Sequence, residues 1–130
     1  MRPLLRSTLL LSSLMLIASC SPKPNIEVPQ EFQPGQAVFH KACASCHGSD
    51  ALGKATKAPN LIDVEYIKEN FSDEEMRETA KEGTDKMPPQ KANVSDADIS
   101  KIIKYLRYSQ KAAGLEPEPE EDEDSGDAEG

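Results

Sequence analysis

Cys43-Ala44-Ser45-Cys46-His47, running straight into Gly48, is the stretch on which the reading of the whole chain turns. Two thiols separated by two residues can each add to one vinyl group of a haem. The histidine that follows at once then lies under the iron, close enough to donate an imidazole nitrogen. C-x-x-C-H is the spacing of c-type haem attachment, and histidine is a usual proximal ligand of haem iron. Two other uses of the same residues fit less well. A thioredoxin-like redox pair wants a preceding strand and a βαβ pattern, and neither is visible. A zinc site wants four ligands in paired clusters, and no second pair exists among the chain's 3 cysteines.

Working outward, the next informative stretch is Met87-Pro88-Pro89. Pro88 keeps Met87 out of helical geometry, and the two prolines stiffen the loop, so that a thioether is presented at low entropic cost. Met1 and Met15 lie in the N-terminal leader, which leaves Met76 and Met87. Met76 belongs to a helix and Met87 to the rigid loop. Met87 either bonds the iron or packs against the haem without bonding it.

On Cys43-x-x-Cys46-His47, Pro59-Asn60-Leu61 and Gly83-Thr84-Asp85-Lys86-Met87-Pro88, the chain resembles the small single-haem cytochromes c over about residues 34–114. The resemblance implies an all-α cytochrome c fold, three to four short helices wrapped around one covalently bound haem c. Cys43 and Cys46 would carry the haem, and His47 and Met87 would be the axial ligands of its iron. The Pro59 carbonyl would accept a hydrogen bond from the second ring nitrogen of His47, orienting the ring and raising its basicity. A His/Met pair raises the reduction potential and fills both axial positions. Those are properties of an electron carrier rather than of an oxygen-activating enzyme.

The helices follow from local signals. The first is predicted from Pro34 or Gly35 into the haem motif, where Phe39, Cys43 and Cys46 share a face and Gly48 ends it. His40 lies three residues before Cys43 and is read as an exposed or packing histidine, because His47 already serves the iron. Residues 48–63 form a loop. A short helix is predicted over Val64–Asn70, although Ile62, Val64 and Tyr66 alternate and the period is ambiguous. Ser72-Asp73-Glu74-Glu75 is a capping box, with Phe71 and Met76 as its hydrophobic staple, and Gly83 stops that helix. Ser95 caps a last helix, Asp96 to about Lys111, with a stripe of Ile99, Ile102, Ile103 and Leu106. In the resembled family the first and last helices cross at a close glycine–aromatic contact, for which Gly35, Phe39 and Tyr105 are the matching residues. So small an apolar core is marginal alone, and the protein without haem is expected to be largely disordered.

The two ends read differently from the middle. Arg2 and Arg6 precede an apolar run, Leu9 to Ala18, that is too short to span a bilayer comfortably and fits a secretory signal. Ile17-Ala18-Ser19-Cys20 resembles a bacterial lipobox, so residues 1–19 are read as a lipoprotein signal peptide and Cys20 as the lipidated residue that attaches the chain to a membrane. Ser21 after it resembles an outer-membrane address in a Gram-negative host. Residues 20–33, rich in proline, are read as a tether, and its 13 residues 21–33 reach at most about 45 Å. Residues 34–114 are the cytochrome domain, and 115–130 an acidic disordered tail.

Nine of the chain's 23 acids lie in 116–130 and two of its 15 bases in the leader, so residues 21–115 carry 14 acids against 13 bases. A net charge of -8 argues against nucleic acid as a general partner. The tail is a solubilising segment or a docking arm for a basic partner, acting on association rate. The function expected is that of a membrane-anchored, monomeric, extracytoplasmic carrier, passing single electrons between respiratory or other redox protein partners. It would be no enzyme in its own right, though a place as a subunit of a larger oxidoreductase stays open. An enzyme would need an open iron site with distal catalytic residues, and a sensor an output domain.

Overall fold

The computed structural model describes residues 23–55 and 57–115. The expected leader, Cys20 and the acidic tail lie outside these residues. Among the described residues four α-helices carry the fold: α1 Gln33–Ala42, α2 Ala44–His47, α3 Asp73–Glu82 and α4 Asp96–Ala112. Two short 3-10 turns, Ser49–Ala51 and Val64–Tyr66, punctuate the loops. Among the described residues there is no strand, only one isolated antiparallel bridge between Lys54 and Ala58.

The crossing of α1 and α4 builds the core. Its closeness rests on Gly35, where a Cβ would strike the Lys101 carbonyl oxygen and lie 3.0 Å from Tyr105 Cβ. Phe39 and Tyr105, both fully buried, meet one turn further along with ring centroids 5.6 Å apart. The stripe of Ile99, Ile102, Ile103 and Leu106 is buried as its spacing predicts. Glycine and the aromatic pair thus meet at the crossing, as expected.

Helix starts are fixed by side chains. Glu75 N–H donates to Ser72 Oγ (3.3 Å) and Ser72 N–H to Glu75 Oε2 (2.8 Å), a complete capping box. Asp98 N–H donates to Ser95 Oγ at 3.2 Å on α4. Gly83 ends α3 at φ +73.

Three expectations of local structure are corrected. The first helix does not run unbroken into the haem motif. It stops at Cys43 (φ -116, ψ -33), whose carbonyl accepts from both Cys46 N–H (3.1 Å) and His47 N–H (2.9 Å) before α2 resumes. The helix expected over Val64–Asn70 is only the turn Val64–Tyr66. Ile67 turns extended (ψ 163), which buries its side chain, and Asn70 Nδ2 donates to the Val64 carbonyl at 2.8 Å instead.

The third correction concerns the tether, whose second half is not free. Asn25 and Ile26 N–H groups donate to the two Asp50 carboxylate oxygens at 2.9 and 3.2 Å. Gln36 Nε2 donates to the Ile26 carbonyl at 2.8 Å, Val28 is buried, and Phe32 stacks on Tyr108 with centroids 4.3 Å apart. The packed unit therefore begins near Asn25 rather than at residue 34.

One further node ties α4 to the long loop before α3. Arg107 donates to the carbonyls of Tyr66 (2.6 Å) and Phe71 (2.6 Å) and to Asp73 Oδ1 (2.8 Å). Gln110, fully buried, donates to the carbonyls of Leu61 (2.9 Å) and Tyr66 (2.8 Å). Buried carbonyls need such partners, and here two side chains one turn apart supply them.

Candidate haem site

An open cavity lies between α3, α4 and the segment that joins them. Helix α4 gives it Ile99, Ile102 and Ile103, α3 gives Met76 and Ala80, and the joining segment gives Met87, Gln90 and Val94. Cys43, at the break between α1 and α2, completes the wall. Cys43 and Met87, far apart in sequence, thus line one cavity of mainly apolar surface.

The Cys43 side is built by tight backbone packing. Helix α2 holds Cys46, exposed, and His47, buried. His47 Nδ1 sits 3.2 Å from the Pro59 carbonyl oxygen, so this nitrogen donates and Nε2 is left with its lone pair. Two glycines make the approach feasible. Gly48 (φ +80) packs on the Gly53 carbonyl, and a Cβ at Gly53 (φ +79) would lie 2.6 Å from Asn60 N and 2.9 Å from the Pro59 carbonyl carbon. Gly53 N–H also donates to the His47 carbonyl at 2.6 Å, and Leu61 N–H to the Ala51 carbonyl at 2.8 Å. The loop 48–61 is thereby folded back under the histidine.

The electrostatics suit ligation more than thiol redox chemistry. Burial, with some help from the neighbouring Cys46, pushes the Cys43 thiol up to about 11. Reactive cysteines have lowered values instead. Burial holds His47 below its ordinary value, with the Pro59 hydrogen bond opposing in part, so the ring stays neutral.

The opposite side is looser. Met87 is half-buried in a turn closed by Thr84, whose N–H donates to the Met87 carbonyl at 2.8 Å and whose Oγ1 accepts from Met87 N–H at 3.1 Å. His40 does not line this cavity. It is buried against Phe39 and Asp50, with Asp50 N–H donating to its Nε2 at 3.4 Å, and it is a packing histidine, as expected.

Sequence reasoning missed Thr84 and Gln90, which frame the methionine turn, and Asp50, which holds the N-terminal strap. Thr84 is the one with a readable signal, a threonine three residues before Met87, where a hydroxyl can cap the turn. Cys43 and Met87 line the apolar cavity, while Cys46 and His47, on α2 directly after Cys43, are not among its lining residues. Two thiols, an imidazole with one nitrogen engaged and a thioether are donor types that fit a covalently held haem.

Comparison with known proteins leads the same way. A family profile described as cytochrome c oxidase, cbb3-type, subunit III matches residues 30–106. Curated relatives include the cbb3-type cytochrome c oxidase subunit FixP of Rhizobium etli, 35% identical over 73 residues, or 55% of this chain and 25% of that protein. Subunit CcoP of Rubrivivax gelatinosus is 34% identical over 80 residues, 60% of this chain and 26% of that protein. The chain thus spans about a quarter of the length of the curated relatives it matches. Among solved structures, cytochrome cL of Methylophaga aminisulfidivorans is similar with a TM-score of 0.53 and 32% identity, over 60% of this chain and 52% of that one. Another c-type cytochrome gives a TM-score of 0.52 and 25% identity, over 58% of this chain and 96% of that one.

Proposed function

Because the chain belongs to the cytochrome c family described as cytochrome c oxidase, cbb3-type, subunit III, and so carries haem c covalently on an all-α fold, we propose that it is a single-electron carrier with both axial positions of its iron filled. Cys43 and Cys46 hold the haem through thioether bonds. His47 Nε2 and the Met87 sulfur would bind its iron, and the Pro59 carbonyl, 3.2 Å from His47 Nδ1, would orient the ring. The observation that carries this reading is that Cys43 and Met87 line the same apolar cavity, with His47 Nδ1 engaged by Pro59 at 3.2 Å.

The haem, when bound, supplies a reversible one-electron couple. What the chain's own residues do is keep the coordination unchanged between oxidation states and keep water out. The isoleucines of α4 give a low-dielectric wall. The neutral, hydrogen-bonded His47 needs no proton movement to act as a ligand, and Met87 competes with outside ligands for the other position. Transfer then requires only close approach of a redox partner, with no pocket for a substrate.

The wider setting is part of the proposal. Relatives named as oxidase subunits support a larger redox complex as the partner, whether the chain docks on it transiently as a monomer or is built into it. Residues 1–19 act as an export signal, Cys20 carries lipid, and the domain works outside the cytoplasm on a bacterial membrane, the outer one in a Gram-negative host. Residues 115–130 remain an acidic extension able to meet a basic surface. Among the described residues no helix is long and apolar enough to cross a membrane.

Optical spectra of the oxidised and reduced holoprotein, with and without carbon monoxide, test the centre of the proposal. A c-type reduced spectrum, a far-red methionine–ferric band and no response to carbon monoxide are expected. Prompt carbon monoxide binding by the wild-type protein would mean an open iron and an enzyme or sensor instead. The mass of the membrane-extracted protein checks for lipid on Cys20.

A further inference from the structure

The turn that presents Met87 is held by two side chains whose bonding is unusually concentrated on it. Thr84 takes both backbone polar groups of Met87: its Oγ1 accepts from Met87 N–H at 3.1 Å, and its N–H donates to the Met87 carbonyl at 2.8 Å. The same hydroxyl accepts from Lys86 N–H at 3.3 Å. Gly83, at φ +73, lies so close that a Cβ there would strike the Met87 carbonyl oxygen, which keeps the turn against the end of α3.

After Met87 the chain loses its usual means of bonding. Pro88 and Pro89 have no N–H groups, so a backbone ladder cannot continue there. Gln90 supplies the anchor. Its Nε2 donates to the Pro88 carbonyl at 2.9 Å, and its N–H donates to the Ala80 carbonyl on α3 at 3.0 Å. Its own carbonyl accepts from Asn93 N–H (2.8 Å) and Val94 N–H (2.9 Å), and the residue lines the same cavity as Met87. Thr84 therefore fixes the methionine backbone, and Gln90 pins the proline that follows it to a helix.

We propose that Thr84 and Gln90 are positioning residues for the Met87 thioether, setting how often the sulfur leaves the iron and hence how readily an outside ligand enters. The inference rests on the reading of Met87 as an axial ligand. The physical link is local opening. A turn with exposed hydrogen bonds opens far more easily than the fold unfolds. A competitor binds only the open form, so its apparent affinity scales with the open fraction. The bonds of Thr84 and Gln90 act on that fraction and hardly on the core, because they lie outside the α1–α4 crossing.

The experiment titrates the ferric holoprotein with imidazole and follows loss of the far-red methionine band, alongside thermal unfolding by far-UV circular dichroism. Four variants are compared: Thr84→Val, Thr84→Ser, Gln90→Leu and Met87→Ala. Thr84→Val is expected to lower the imidazole midpoint roughly threefold to tenfold, the change that losing one or two ordinary hydrogen bonds produces. Thr84→Ser, which keeps the acceptor, should return it close to wild type, and Gln90→Leu should lower it by a smaller factor. The unfolding midpoint of the holoprotein should stay put. Wild-type imidazole midpoints in both Thr84→Val and Gln90→Leu, with the far-red band present in wild type and absent in Met87→Ala, would overturn the positioning role and leave Met87 as ligand. A lowered midpoint that Thr84→Ser fails to rescue and that tracks lost thermal stability would make the role merely structural. A Met87→Ala spectrum identical to wild type would instead overturn the ligand reading itself.

Discussion

Cys43, at the head of segment 43–61, and Met87 and Gln90, in segment 83–90, line one cavity, yet the two segments are secured by different means. The first segment is fixed by the Cys43 carbonyl, two left-handed glycines and backbone bonds that return loop 48–61 beneath a buried His47. The second rests on Thr84 and Gln90, beside a half-buried methionine between exposed neighbours. The contrast teaches that the Cys43 wall has its geometry built into the backbone, which is what the proposed thioether attachment, with no room for adjustment, would need. The opposite wall, held by the side chains of Thr84 and Gln90, would need only enough order to offer the Met87 sulfur in its proposed role.

The sharpest way to break this comparison is to remove the covalent anchor. Cys43→Ala with Cys46→Ala should abolish haem attachment and, with it, the cooperative thermal transition seen by calorimetry. A sharp transition in this apoprotein would mean that the core around Phe39 and Tyr105 suffices alone. Next in size is Met87→Ala, expected to abolish the far-red band and admit carbon monoxide to the reduced iron while leaving the far-UV circular dichroism unchanged. The tight wall is probed by Gly53→Ala. A Cβ at φ +79 against Asn60 and Pro59 is expected to cost about 1–3 kcal/mol in denaturant unfolding of the holoprotein. An unchanged denaturation midpoint would show that loop 48–61 has slack.

Two smaller effects act at a distance from the cavity. Ser72→Ala should cost about 1 kcal/mol by removing the α3 cap, readable in the same denaturation assay. Acid should act on the same cap. Hydrogen bonds from the Ser72 hydroxyl and Ser72 N–H hold the Glu75 carboxyl below its ordinary value of 4.5. A depressed folded value means stabilisation that is present above pH 4.5 and lost as pH falls through the folded value. Asp98 follows the same course at α4, held down by Lys101 and Ser95. The expected result is a shallow fall in the unfolding midpoint below about pH 4.5, reduced in Glu75→Gln; an identical slope in that variant would exclude the cap as its source.

What could be read from the sequence was what neighbours in sequence decide. The C-x-x-C-H motif, the Ser72 and Ser95 caps and the α4 stripe each depend on spacings of a few residues or on a pattern that one helix repeats, whereas the Gly35 crossing, between residues far apart in sequence, came only from the resemblance to the cytochromes c. The features missed depend on pairs brought together by folding. Asp50 meets Asn25 and Ile26 across 24 or more positions, and Arg107 meets Tyr66 and Phe71 across 36 or more. No local period announces an acid whose targets are backbone N–H groups elsewhere. The break at Cys43 escaped for the opposite reason: on either side of it the residues favour helix, and only the carbonyl shared by Cys46 and His47 marks the discontinuity.

The strap from Asn25 to Phe32 changes how far the protein can travel. On the proposed lipidation of Cys20, with the first pinned residue at Asn25, the segment 21–24 between them spans at most about 14 Å, against about 45 Å for 21–33. A domain held so closely would ride in a thin layer above the bilayer. Its encounters would become a two-dimensional search, in which a partner would have to share the same membrane or reach down to it.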